Sequence, residues 1–209
     1  KNVFFDEIDA YPYDVDGEGS PVELAEARAR TFSKRKFLKV STPTLAGRSA
    51  IESEFEDSDQ CFFHVPCPEC HHFQKLEFIQ LKFERHEDKT VNLESVRYEC
   101  AACNFPIKNW QKTSMLKKGR WVAENPDHKN GKVRGFHLSS LYSPVGWFSW
   151  EEIAEEWVKA TGNQEKLRTF VNTVLGETWK EKSEVPDWNK LYSRREAYRQ
   201  GIVPVGVGF

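Results

Sequence analysis

Val3-Phe4-Phe5-Asp6-Glu7-Ile8-Asp9 is an apolar run that breaks into carboxylates, and its surroundings decide the fold. Alone it reads as a short buried strand ending in an acidic turn. After a polar loop through Gly19, Ser20-Pro21-Val22-Glu23 combines an N-cap, a first-turn proline and a capping-box glutamate. A helix is expected from there to about Thr31. Phe37-Leu38-Lys39-Val40 is a second short apolar strand, and it runs into Ser41-Thr42-Pro43-Thr44, where the proline stops a central strand from continuing. Ile51 and Phe55 then sit four apart on an acidic segment, as a short amphipathic helix places them. Strand, helix, strand, helix with short spacers is the α/β pattern of a parallel sheet covered by helices.

Further along, the texture changes. From Cys61 to about Pro106, short β-like runs (Phe62 to Val65, Val96 to Glu99) surround paired cysteines and read as a β-rich insert. Asn109 to Lys118 is expected to be helical, and Arg120-Val122 and Val133-Leu138 to be strands separated by a turn-rich stretch. Ser149-Trp150-Glu151-Glu152 is a second capping box, with Ile153, Trp157 and Val158 on one face of its helix and Gly162 as its stop. Leu167, Phe170, Val171 and Val174 repeat at helical spacing up to Gly176, which predicts a second helix. The divisions expected are 1–60, 61–106 for the insert, 107–180 for the later strands and helices, and 181–209 as a charged linker ending in an apolar run.

Composition narrows the function classes. Thirty basic and thirty-two acidic residues leave a formal charge of −2, so any nucleic-acid contact must come from a local patch. The densest basic cluster is Arg28, Arg30, Lys34, Arg35 and Lys36, which reads as an ordinary solvated helix end or as a phosphate contact, to DNA or to ATP. No apolar run approaches membrane-spanning length, so no membrane role is expected. The opening KNVFFDEID lacks the residue order of a signal peptide, which predicts an intracellular, reducing setting with cysteines as thiols or metal ligands.

Ligands of parallel α/β sheets gather at the carboxyl edge of the strands, where Asp6 and Glu7 sit. In nucleotide hydrolysis Asp6 would hold the Mg²⁺ on the phosphates through water, and Glu7 would orient and deprotonate the attacking water. The hydroxyls of Ser41, Thr42 and Thr44 at the end of the neighbouring strand could sense a γ-phosphate. A plain acidic strand end and a hydroxyl-capped turn are the competing readings of the two motifs taken singly.

Cys67-Pro68-Glu69-Cys70 and Cys100-Ala101-Ala102-Cys103 are two C-x-x-C knuckles, the pattern by which two turns present four thiolates tetrahedrally to Zn²⁺. Disulfides are the alternative. A closed four-thiolate shell leaves no open position, so the zinc would be structural. A long hairpin from Phe73 to Tyr98 is expected between the knuckles. His71 and His72 could replace a cysteine but read better as solvated surface, and Cys61 reads as a small apolar residue. His137 is expected to be a satisfied structural histidine, and Trp147, Trp150, Trp157 and Trp179 to be core.

Together, VFFDEIDAYP (3–12), KVSTPT (39–44) with its trailing SAIESEFEDSDQ, FFHVPCPEC (62–70), YECAAC (98–103), GFHLSSLYSPVGWFSWEEIAEEW (135–157) and FVNTVLGETW (170–179) resemble the lambda-type large terminase subunit of tailed phages. The resemblance implies the C-terminal portion of a P-loop ATPase sheet that carries a zinc-ribbon insert and is followed by helices. It implies that Asp6 and Glu7 match the Walker B acid and the catalytic carboxylate, and that Ser41, Thr42, Pro43 and Thr44 match the ATPase coupling motif. Also implied are ATP and Mg²⁺ as cofactors, and double-stranded DNA, a small terminase subunit and a portal or procapsid as partners. A homo-oligomeric motor ring in the host cytoplasm completes that picture. No G-x-x-x-x-G-K-[ST] occurs in the sequence, so the phosphate loop is expected upstream of Lys1 and the nuclease carboxylates beyond Phe209. Residues 1–209 alone are then expected neither to bind ATP well nor to cut DNA.

Two rivals remain. Asp6-Glu7-Ile8-Asp9 also satisfies the D-E-x-D box of a superfamily-2 helicase, which would need a second motor domain where the cysteine-rich insert and helices stand. A non-catalytic zinc-ribbon adaptor would leave Asp6 and Glu7 as a strand end.

Overall fold

The computed structural model describes residues 1–181. Strands β1 (Asn2–Asp6) and β2 (Lys36–Val40) pair in parallel, with Phe4 opposite Leu38 and Asp6 opposite Val40. Between them lies α1 (Pro21–Arg28), started by Ser20, whose hydroxyl accepts the Glu23 N–H at 3.2 Å. It stops short of Thr31 because the amides of Ala29 and Arg30 bond back to Glu26 and Ala27, three residues away, and tighten the chain into turns. Helix α2 (Ala50–Glu56) is capped in the same way by Ser49.

Both helices lie on one face of the strand pair. Lys39, pointing to that face, bridges Glu26 of α1 at 2.9 Å and Glu54 of α2 at 2.5 Å, and Phe5 and Phe37 pack there with ring centroids 6.3 Å apart. The expected burial of the first strand therefore holds for Phe5 but not for Phe4, which is 73% exposed. Period-two alternation sends Phe4, Leu38 and Val40 to the opposite face, which no described helix covers.

Strand β3 (Cys61–Pro66) pairs antiparallel with β4 (Phe73–Lys75), and β5 (Leu81–Arg85) forms a hairpin with β6 (Val91–Glu99), edged by β7 (Pro106–Ile107). The single hairpin expected from Phe73 to Tyr98 is thus split in two. The break falls at a 3₁₀ turn, Phe78–Gln80, where the Tyr98 hydroxyl accepts the Glu77 N–H at 2.9 Å and donates to Gln80 Oε1 at 2.7 Å. Next come α3 (Lys112–Lys117), β8 (Arg120–Ala123) and β9 (Phe136–His137), the last much shorter than Val133-Leu138. Strand β8 runs antiparallel to β3 and β9 parallel to it, Phe62 standing opposite both Val122 and His137. The cysteine-rich segment therefore begins inside a sheet that residues after 106 complete.

Helix α4 (Trp150–Ala160) starts at a complete capping box between Ser149 and Glu152. Helix α5 (Gln164–Thr169) widens into a π-helical turn, Phe170–Leu175, that ends at Gly176 with φ +67°. Only glycine suits that place, since a Cβ would stand 3.3 Å from His137 Nε2, whose hydrogen bond to the Gly176 carbonyl at 3.0 Å satisfies the ring as expected. Helix α4 packs on β6 in a shared core in which Tyr98 lies 5.4 Å from Trp150, and Phe78 lies 4.9 Å from Trp157 and 5.3 Å from Phe170. Trp150 is fully buried and donates its indole N–H to Leu141. Trp147, expected in the core, is instead 81% exposed on the turn at Gly146. Among the described residues no helix is long and apolar enough to cross a membrane. The expected linker lies, from residue 182 on, outside the described residues.

Lys112 is the unexpected member of this core: it is fully buried, its ammonium 5.2 Å from the Trp150 ring and 3.4 Å from the Phe148 carbonyl. Burial pulls its pKa down to about 8 against the pull of Glu151 and Glu152. A lysine with a lowered folded pKa costs stability below that value, and the cost is relieved as pH rises from about 8 toward the unfolded value of 10.5. Lys112→Met is therefore expected to stabilise the protein at pH 7 by about 1–3 kcal/mol and by much less at pH 10, measured by urea unfolding. An equal gain at both values would contradict the buried charge.

Candidate functional sites

The acidic pair stands where the sequence places it. Asp6 ends β1 and is exposed, and Glu7 comes next in the left-handed region at φ 54°, ψ 49°, also exposed. A non-glycine residue there carries strain, and here the bend turns the chain sharply from strand into the 3₁₀ turn Ile8–Ala10. Ser41-Thr42-Pro43-Thr44 leaves the adjacent strand at the same edge, because Asp6 and Val40 are in register.

The two motifs are joined by Asp9, the last residue of the D-E-x-D box. Its N–H donates to Ser41 Oγ at 3.1 Å, its Oδ2 accepts the Thr44 hydroxyl at 2.8 Å, and its Oδ1 accepts the N–H of Ile51 in the first turn of α2 at 2.8 Å. Ser41 also donates to the Thr42 carbonyl. Of the three hydroxyls in this loop, Thr42 alone makes no hydrogen bond among the described residues. The loop is held from its far side too, since the Thr44 carbonyl accepts from Asn172 Nδ2 at 2.7 Å and from the Trp179 N–H at 2.8 Å. Trp179 bridges Leu45 in parallel, and the Thr178 hydroxyl reaches Glu52 of α2 at 2.6 Å. Nothing in the local pattern announces a partner so distant in sequence.

The basic cluster lies at the other end of the strands. Lys36 starts β2 opposite Asn2, so a whole strand, about 13 Å at the usual rise, separates it from Asp6. Arg28, Arg30, Lys34, Arg35 and Lys36 are thus removed from any phosphate at the acidic edge, and none forms an ion pair among the described residues.

The second constellation is the cysteines. Cys67, Cys70, Cys100 and Cys103 are free thiols whose sulfurs all lie within 4.8 Å of one another. Two cross-knuckle separations are 3.9 Å, Cys67 to Cys103, and 3.7 Å, Cys70 to Cys100. A tetrahedron with Zn–S bonds of about 2.3 Å has edges of about 3.8 Å, so this spacing fits zinc and is far too long for disulfides.

The two knuckles share one backbone design. The His71 N–H bonds to the Cys67 carbonyl at 3.1 Å and the Asn104 N–H to the Cys100 carbonyl at 2.9 Å, and both residues are left-handed, at φ 59° and 57°. Burial is the largest influence on the Cys100 thiol and would raise it, but the amides of Cys103 and Ala102 and the thiols of Cys67 and Cys103 together bring it down to about 7. Gln74 of β4 braces the second knuckle by accepting the Ala101 N–H at 2.7 Å, a contact with no sequence signal. His71 and His72 are exposed and outside the cluster, and Cys61 is buried beside Arg134.

Comparison with known families matches the sequence in two stretches. The family model of the phage terminase large subunit gpA ATPase domain matches residues 1–121, and that of the gpA endonuclease domain matches 133–209. The chain belongs to the gpA family of phage terminase large subunits. The large terminase subunit of Enterobacteria phage P21 is 33% identical over 202 residues, covering 86% of this chain and 30% of that protein. That of Escherichia phage lambda is 30% identical over 221 residues, covering 93% and 33%. The chain thus spans about a third of the length of the curated relatives it matches. No solved structure matches.

Within the gpA family, the helicase rival has no remaining support. The endonuclease match starts at 133, inside the segment 107–180. Residues on both sides of that boundary share one core, Tyr98 against Trp150 being an example.

Proposed function

We propose that residues 1–60 form the hydrolytic edge of a terminase packaging ATPase, the C-terminal portion of a P-loop sheet. The observation that carries this reading is that β1 delivers Asp6 and Glu7 to the same carboxyl edge at which β2 delivers Ser41-Thr42-Pro43-Thr44. Asp6 would hold the Mg²⁺ of bound ATP, and Glu7, turned out of the strand by its left-handed backbone, would activate the attacking water. Thr42 is the hydroxyl left to meet the γ-phosphate. The phosphate loop that completes the site belongs to another part of the full-length subunit.

In this reading the subunit hydrolyses ATP to drive double-stranded DNA into a procapsid, acting in the host cytoplasm with a small terminase subunit, a portal and other copies of itself in a motor ring. Genome cutting falls to the endonuclease domain, whose family match begins at residue 133 of this chain and so does not lie wholly beyond Phe209 as expected. Cys67, Cys70, Cys100 and Cys103 hold one structural Zn²⁺ in a ribbon whose core is shared with α4. The test is DNA-stimulated ATP hydrolysis by a subunit of the relatives' full length bearing this sequence. Loss of hydrolysis in Glu7→Gln supports the reading, and wild-type hydrolysis reduces the chain to a zinc-ribbon adaptor with an acidic strand end.

A further inference from the structure

Asp9 is a half-buried carboxylate whose bonds join three elements: the turn after Glu7, the loop after β2 and the first turn of α2. Each carboxylate oxygen already accepts a hydrogen bond, one from the Ile51 N–H and one from the Thr44 hydroxyl, while its own amide binds Ser41. Such a group is well placed to fix geometry. It lies two residues from Glu7, whose left-handed backbone needs support from the turn after it. Thr44 in turn is fastened through its carbonyl to Asn172 and Trp179.

We propose that Asp9 is a positioning residue for hydrolysis: it holds Glu7 and the Ser41–Thr44 loop in one geometry and ties that loop, through Thr44, to the Asn172–Trp179 segment. The proposal rests on the nucleotide-site reading given above. A displacement of the attacking water's partner by an ångström suffices to slow chemistry without weakening nucleotide binding, so the loss should appear in kcat.

The experiment is steady-state, DNA-stimulated ATP hydrolysis by the full-length subunit. Asp9→Ala is expected to lower kcat on the order of 10- to 100-fold with KM for ATP changed less than about twofold. Asp9→Asn should restore most of the rate, because its Oδ1 still accepts the Ile51 N–H and its Nδ2 can donate to the Thr44 hydroxyl. Thr44→Val should lower kcat too, and add little to Asp9→Ala, because both break the same bond.

Wild-type kcat in Asp9→Ala overturns the proposal, as does Asp9→Asn being as slow as Asp9→Ala, which would assign Asp9 a charge role. Should Asp9→Ala not fold, Thr44→Val decides: a lowered kcat with KM kept supports the proposal and an unchanged kcat overturns it. Glu7→Gln separates the two levels, since full activity in that variant removes the nucleotide site itself, whereas its inactivity beside a fully active Asp9→Ala removes only the role of Asp9.

Discussion

Replacing Cys67 and Cys70 together by serine is expected to abolish metal binding and unfold the ribbon together with the helices packed on it. The protein purified without chelator should carry one zinc per chain by elemental analysis, and the double variant none. Structural zinc contributes on the order of 10 kcal/mol in small metal-folded units, comparable with the whole stability of a domain, so its loss leaves no reserve. The effect should spread beyond the knuckles. Tyr98 of β6 packs on Trp150 of α4, and Phe78 packs on Trp157 and Phe170, so a ribbon that opens exposes the apolar face of α4 as well. Loss of near-ultraviolet circular dichroism from Trp150 and Trp157 would register this. Near-zero zinc in the unmodified protein would refute the assignment, and a Cys61→Ser variant, outside the cluster, should keep its metal.

In the full-length subunit, Glu7→Gln is expected to reduce DNA-stimulated ATP hydrolysis about 10²- to 10⁴-fold, the range that loss of a general base produces. Glutamine preserves size and can still hydrogen-bond to water, but it cannot take the proton. ATP binding should survive in this variant, while Asp6→Asn should raise the Mg²⁺ requirement, because the carboxylate lost there acts on the metal. If the two variants behaved alike, raising the Mg²⁺ requirement without slowing turnover at saturation, Glu7 would be a metal-side residue and the assignment of roles would be wrong.

Much of this site could be read from the chain because its chemistry is local. The turn from apolar strand to Asp6-Glu7 lies within a few residues, the caps at Ser20 and Ser149 each act within one helical turn, and each C-x-x-C knuckle closes through its own backbone. Interactions across so few residues have little loop entropy to overcome, and the residue types alone specify them. Helix lengths were less legible. Helix α1 ends at Arg28 because competing turn bonds form, and propensity does not foresee them.

By itself, then, the sequence determined the parallel α/β start of the chain, the acidic edge, the hydroxyl loop beside it and the four thiols. Only the tertiary structure decided that β3 is shared with β8 and β9, that α4 closes the ribbon's core, that Lys112 is buried, and that Asp9 and Trp179 meet at Thr44. Each of these joins residues far apart in sequence. Their pairing is chosen by which apolar faces can be buried and which polar groups satisfied together, a property of the assembled fold that no single stretch of the chain contains.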